Sequence, residues 1–424
     1  MKQSRRLVIL TIIFTLTIVA GCSNKSTNAK DGKIELTFWS LFGGGDGEYM
    51  KAIIKDFNEL QSEIVVKNVD LEFEEFYPKL MAAVTAGNGP DMAITHTSKL
   101  PELVNEGIVQ ELDSIADRIE FDWDQLNDNI LSSAMIDGEH YAVPIDTHPY
   151  VMYFNKTILA EAGLLDEDGK PIFEESPEGF IDFTSTLQEK IADQQHVISM
   201  PYKLVYPYRL WWSFYHQLGG KDLIGNDLKT LLIDMDKAVE AADYMKGFYE
   251  SNVFSPNMEP NDAAKSFQSG NAALLFDGVW TVGAFSETEN LDFGVMSVPE
   301  VFNESATWGD SHTIILPIQN KPDEEREAAA MEFSKWVVDH GHDWAKAGHI
   351  PSKKGIADDA DLKALPHRSE YIDVADIVAF PKTSPYNWTI QNEMIRHLDT
   401  VWAGAADPQE AIENAIKVLE KNMD

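Results

Sequence analysis

Hydrophobic positions along the 424-residue chain switch between a period of two and a helical period, and the switches mark its elements. Ile34, Leu36 and Phe38 recur at every second residue, as in a half-buried strand, and lead through Trp39-Ser40 into the loop Gly43-Gly44-Gly45-Asp46-Gly47. Met50, Ile53, Ile54, Phe57 and Leu60 then share one helix face. Residues 64–69 predict a second strand, 76–86 a second helix closed by Gly87, and 92–94 a third strand. This alternation implies a parallel sheet with helices on its faces. Ligands gather beyond the carboxyl ends of such strands, here Trp39-Ser40 and Thr95-His96-Thr97.

After the turn Asp137-Gly138, Tyr141, Val143 and Ile145 alternate again, and residues 150–154 form a continuous apolar run suited to a fully buried strand. Asp146, Thr147 and His148 are wedged between these two runs. A chain of this length exceeds one core, so the stretch predicts a crossover between two lobes with a binding surface at the crossing. Downstream, helices are expected at 178–192, 236–249 and 324–339, with strands at 197–200, 272–276, 293–298 and 313–316. The helix carrying Arg209, Trp211, Trp212 and His216 is aromatic on more than one face, so it cannot bury a single stripe. Pro299 marks a second passage between lobes.

The chain begins with a basic segment, Lys2, Arg5 and Arg6, and an apolar stretch, 7–20, too short to span a bilayer comfortably. Val19-Ala20-Gly21-Cys22 matches a lipobox, so residues 1–21 are expected to be a signal peptide. Cys22 is the only cysteine, which rules out a disulfide within the chain and suits a lipid attachment point, with 22–32 as tether. No later segment is long and apolar enough to cross a membrane as a helix. The 34 Lys and Arg, less Lys2, Arg5 and Arg6, leave 31 against 70 Asp and Glu, a formal charge of −39. Such a balance argues against nucleic acid and anionic lipid, and makes a polyanionic ligand less favoured than a neutral or cationic one. The glycine loop lacks the G-x-G-x-x-G spacing, and its Asp46 has the wrong sign for a pyrophosphate; it reads as a flexible cleft edge.

Four segments together resemble the extracellular solute-binding proteins of bacterial ABC importers, specifically the maltose-binding-protein-like carbohydrate group. They are 87–94 with Pro-Asp before a strand, 141–156 with Val-Pro, Asp-Thr and Tyr-Phe-Asn-Lys, 267–280 with Ser-Gly, Ala-Ala and Asp-Gly-x-Trp, and 332–351 with Glu-Phe, Trp and Gly-His-Ile-Pro. The resemblance implies an α/β, two-lobed periplasmic-binding-protein-like fold (class II). Each lobe would be a mainly parallel sheet flanked by helices, and the hinge would be crossed more than once. By position, lobe 1 would be 33–147 and 296–338, and lobe 2 148–295 and 339–424. The resemblance also implies ABC permease subunits as partners, a monomeric receptor without cofactor, and a place on the outer face of the cytoplasmic membrane.

Sugar sites pair aromatic platforms for C–H faces with carboxylates, amides and His for hydroxyls. Trp39, Trp280 and Trp308 flank strands in expected cleft loops and are candidates for stacking. Of Trp211 and Trp212 one packs inward and the other faces the cleft; Trp212 is carried as the candidate. Asp146 and His148 lie at the crossover, His96 and His312 are plausible donors, and Asp277 and Asp91 are polar candidates that could equally brace their own loops. Trp123, Trp336, Trp388 and Trp402 read as packing, and His340-Gly-His342 as solvated surface, since no third metal ligand accompanies it at useful spacing. The leading function is thus a lipid-anchored receptor for a neutral oligosaccharide. Aromatics with carboxylates would also cage an amine or quaternary ammonium ion. A surface glycoside hydrolase is a third reading, although no eightfold strand–helix pattern supports it.

Overall fold

The computed structural model of the chain describes residues 32–42, 46–356 and 359–423, so the expected lipid site Cys22 and most of the glycine loop lie outside the described residues. Strands β1 (Ile34–Ser40), β2 (Ile64–Asp70) and β3 (Met92–His96) are parallel, joined by the helices Asp46–Leu60 and Phe73–Thr85. A hairpin of β4 (Met135–Ile136) and β5 (Glu139–His140) turns at Asp137 and Gly138, both at positive φ, as a tight Asp-Gly turn requires. Then follow β6 (Val143–Pro144), β7 (Asp146–Asn155), β8 (His196–Ser199), β9 (Ala272–Gly278), β10 (Phe293–Ser297), β11 (Gly309–Asp310), β12 (His312–Ile315) and β13 (Ile350–Pro351).

Apart from the β4-β5 hairpin, two sheets divide these strands, in the orders β2-β1-β3-β12-β6 and β10-β7-β9-β8, the second also joined by β11 and β13 through β7. Each is mixed rather than purely parallel: β12 runs antiparallel to β3 and β6, and β7 antiparallel to β9 and β10. The reversed strand is in each case the one on which the chain arrives from the other lobe. The sheets carry separate cores. One is built on Leu36, Phe38, Ile94, Ile314 and Phe333, and the other on Tyr150, Met152, Ile198, Trp211 and Phe276.

The crossover is more continuous than the periodicity suggests. Asp146, Thr147 and His148 do not separate two strands but begin β7, whose ten residues are all buried. Their backbone lies in two short antiparallel pairings, Thr147 with Ile350 and His148 with Asp310. Buried backbone polar groups need such partners, and here the second and third passages between the lobes supply them. β10 keeps 293–297 in the second sheet, beyond the expected boundary at 296, while Trp344 packs into the first core, beyond the boundary at 338. Helix ends obey local chemistry: Asn155 accepts from the Ile158 N–H at 3.0 Å to start Lys156–Ala162, and Gly163, at φ 70°, ends it.

Candidate functional site

A cavity of about 650 Å³ opens where the passages meet, lined from both lobes. A larger groove of about 880 Å³ on the outer face of the second lobe runs between helix surfaces bearing Glu178, Asp236, Glu240 and Glu413, away from the crossing. The cavity at the crossing gathers the convergent polar and aromatic groups expected of a binding site.

Its floor follows from a repeated spacing. Asp146-Thr-His148 on β7 and Asp310-Ser-His312 across β11 and β12 each place a carboxylate and an imidazole two residues apart, hence on one side of an extended chain. Asp146 Oδ1 accepts from the His312 N–H at 2.9 Å and lies 3.2 Å from His148 Nδ1. Its Oδ2 lies 2.8 Å from His312 Nδ1 and accepts from Trp344 Nε1 at 2.6 Å. Burial alone would raise the Asp146 pKa, but the attraction of His312 and His349 and the bonds from His148 and His312 hold it well below the usual carboxylate range. His312 moves up against its own burial because Asp146 faces it. Burial and the neighbouring His312 bring His148 down to about 4, against the pull of Asp146. Burial likewise takes His96 down to about 3, and its Nδ1 shares a 2.7 Å bond with the Tyr77 hydroxyl.

Asp310 accepts from Thr97 Oγ1 at 2.8 Å and from Ser98 Oγ at 2.5 Å, fixing the carboxyl end of β3 to the second passage. His349, fully buried, stacks on Trp344 with ring centroids 4.6 Å apart and planes 3° from parallel. The walls come from the second lobe. The Arg209 guanidinium lies 4.1 Å from the Trp308 ring, 4.9 Å from Trp280 and 5.5 Å from Tyr206, and makes no hydrogen bond or ion pair among the described residues. Trp280 folds back over Gly278 so closely that a Cβ there would meet the indole at 1.9 Å; only glycine allows this position. Trp388 donates its indole N–H to Ser98 Oγ at 3.0 Å, tying the second lobe to the first beside the cavity.

The structure therefore brings His96, His148, Trp280, Trp308 and His312 to the cavity, with Asp146 directly behind the imidazoles. Trp39 lies elsewhere, partly buried on the opposite side of β1 from Phe38 and Ser40 and packed against the first core. Asp91 is paired with Arg326, at 2.6 Å to Nη2, and accepts from the Thr37 backbone N–H at 2.7 Å. Trp212 is core: its N–H donates to the Ala379 carbonyl at 2.8 Å, as that of Trp211 does to Ala238 at 3.0 Å. Neither indole lines the large cavity; that helix offers Tyr206 and Arg209 instead. Asp277 is buried behind Trp280 and bonded to the Gly278 N–H at 2.8 Å. Sequence reasoning missed Tyr206, Arg209, Asp310, His349 and Trp388 as cavity residues. The repeated Asp-x-His at 146–148 and 310–312 was the available signal for Asp310.

Comparison with known proteins fits this architecture. A family model described as bacterial extracellular solute-binding protein matches residues 52–370. The galactooligosaccharide-binding protein of Bacillus subtilis is 22% identical, with 99% of this chain and 98% of that protein covered. The maltooligosaccharide ABC transporter solute-binding lipoprotein of Streptococcus pneumoniae strain R6 is 21% identical, covering 100% and 97%. Among solved structures, an ABC substrate-binding protein from Listeria monocytogenes in complex with cycloalternan superposes with a TM-score of 0.78 at 19% identity, covering 92% of this chain and 99% of that one.

Proposed function

Because the chain belongs to the bacterial extracellular solute-binding proteins, we propose that it captures a neutral oligosaccharide between its lobes and delivers it to the permease of an ABC importer. Membership of a binding-protein family sets aside the hydrolase reading. The observation that carries the proposal is the pairing, in one cavity, of the indoles of Trp280, Trp308 and Trp388 with the imidazoles of His96, His148 and His312. Apolar sugar faces stack on the former, and hydroxyls bond the latter. The relatives named for galactooligosaccharide and maltooligosaccharide, and the structure holding cycloalternan, support a sugar. The lipobox at Cys22, with a relative named as a lipoprotein, supports anchoring at the outer face of the cytoplasmic membrane.

Arg209 weighs against the amine cage, since a cationic ligand would meet an unneutralised guanidinium in the cavity wall. The same residue favours a second reading, an oligosaccharide carrying a carboxylate, which Arg209 would hold bidentately. Thermal melting of the full chain in detergent against neutral oligosaccharides, uronate oligosaccharides and polyamines tests these readings. A ligand at about 100 times its dissociation constant adds about 2.7 kcal/mol to stability and raises the midpoint. A rise with neutral oligosaccharides only is expected. A rise only with uronates that weakens with salt would replace it by the second reading, and a rise only with polyamines would refute both.

A further inference from the structure

One group of side chains at the crossing is arranged for more than hydrogen bonding to a sugar. Asp146, His148, His312 and His349 are all buried, and one donor atom from each lies within 4.8 Å of every other. Three imidazole nitrogens face a single carboxylate: His312 Nδ1 at 2.8 Å, His148 Nδ1 at 3.2 Å and His349 Nδ1 at 3.5 Å. In a tetrahedral zinc site, bonds of about 2.0–2.1 Å set neighbouring ligand atoms about 3.4 Å apart; the three nitrogen–carboxylate distances lie near this value, and the remaining pairs, within 4.8 Å, would draw together on binding. Among the described residues, both ring nitrogens of His349 are buried without a hydrogen-bond partner. Such orphaned groups are uncommon in folded proteins, because desolvation without a partner is costly.

The surroundings fit an ion as well. Trp344 Nε1 steadies the same Asp146 carboxylate at 2.6 Å, and Asp46 lies 3.8 Å from the far nitrogen of His349. An outer carboxylate placed this way orients a metal-binding imidazole, and a hydrogen bond to a ligating carboxylate holds that ligand in turn. His148, His312 and His349 also line the 650 Å³ cavity, which gives an ion a route in. Three imidazoles and one carboxylate suit zinc and its first-row neighbours, whereas magnesium and calcium take oxygen ligands.

We propose that Asp146, His148, His312 and His349 bind one divalent first-row transition ion, for which Zn²⁺ is the probe. The site reaches beyond sugar capture because its ligands come from all three passages between the lobes: β7, β12 and the residue preceding β13. A bound ion would tie these passages together at the hinge. The imidazole protons that now face the carboxylate would move to the other ring nitrogen or to solvent.

The test uses the full chain in detergent, carrying no histidine tag and no sugar. Zn²⁺ is titrated against a competing chelator, and Co²⁺ then replaces it for absorption spectroscopy. One Zn²⁺ per chain is expected, together with the intense visible bands of four-coordinate Co²⁺. His349→Gln and His148→Gln should each weaken Zn²⁺ binding by about tenfold or more, while His342→Gln, an exposed side chain of the short helix Gly341–Trp344, should not. Failure of the wild-type chain to take up one ion, or a Co²⁺ spectrum of octahedral type, would overturn the site. So would uptake that survives His349→Gln. That variant removes a ring with no hydrogen bond among the described residues, so a fold check by circular dichroism keeps its result interpretable. Since no sugar is present, the outcome is independent of the oligosaccharide reading.

Discussion

Asp146 and Asp277 are both buried carboxyls close to the cavity, 0% and 5% exposed, and they titrate in opposite directions. Burial raises both, since a charge is costly to remove from water. Around Asp146 three imidazoles, an indole N–H and a backbone N–H more than offset that cost. Asp277 has its own loop's Gly278 N–H, the more distant charge of Arg209 and the Trp280 side chain, and burial still wins, pushing it up to about 6. Burial sets the size of the penalty, and the partners decide its sign. The difference also separates roles: Asp146 organises a hinge from three chain passages, whereas Asp277 braces the loop that presents Trp280.

The largest effect expected from breaking this contrast is at Asp146. Asp146→Ala strands the buried donors of His312 and Trp344 and should cost about 3–5 kcal/mol, read from urea unfolding. Gly278→Ala comes next, because its Cβ would collide with the Trp280 indole and drive it from the cavity wall. Titration calorimetry should show about a tenfold loss of oligosaccharide affinity, matched by Trp280→Ala, with a smaller loss of thermal stability. A comparable fall in stability for both variants without a change in affinity would remove Trp280 from the site.

Asp277 sharpens the contrast through pH. Its folded pKa of about 6 lies above that of an ordinary aspartate, so between about pH 4 and 6 the folded chain holds a proton that the unfolded chain has lost. Stability should therefore fall as pH rises through that window, leaving a penalty of about 3 kcal/mol at pH 7. Asp277→Asn keeps an acceptor for the Gly278 N–H and faces Arg209 without charge. It should raise the melting temperature at pH 7 and flatten the dependence between pH 4 and 6; an unchanged profile would refute the assignment. The smallest effect is at Trp39, whose replacement by Phe should leave ligand affinity within error because the side chain lies outside the cavity.

What could be read along the chain was whatever neighbouring residues decide among themselves. Whereas the alternation in 141–145 yielded only the two-residue, fully buried strand Val143–Pro144, alternation in 34–38, the helical stripe from Met50 to Phe57, and the glycine at 87 after the second helix are local preferences, and the elements formed where they point. The same holds for the crossing near Asp146, since a polar triplet next to a buried run has few other uses. The candidates that failed to reach the cavity did so for non-local reasons. Trp39 is set by which face of β1 the first core covers, Asp91 by Arg326, 235 residues away, and Trp212 by a carbonyl 167 residues away.

The cavity walls and the hinge cluster belong to tertiary structure alone. Arg209 enters the cavity because the indoles beside it are absorbed elsewhere, and His349 joins Asp146 only once β13 pairs with β7. A sequence determines periodicity, caps and charge because these depend on residues a few positions apart. Which imidazole meets which carboxylate depends on how three distant passages pair, and that choice is made by backbone hydrogen bonding and core packing over the whole chain.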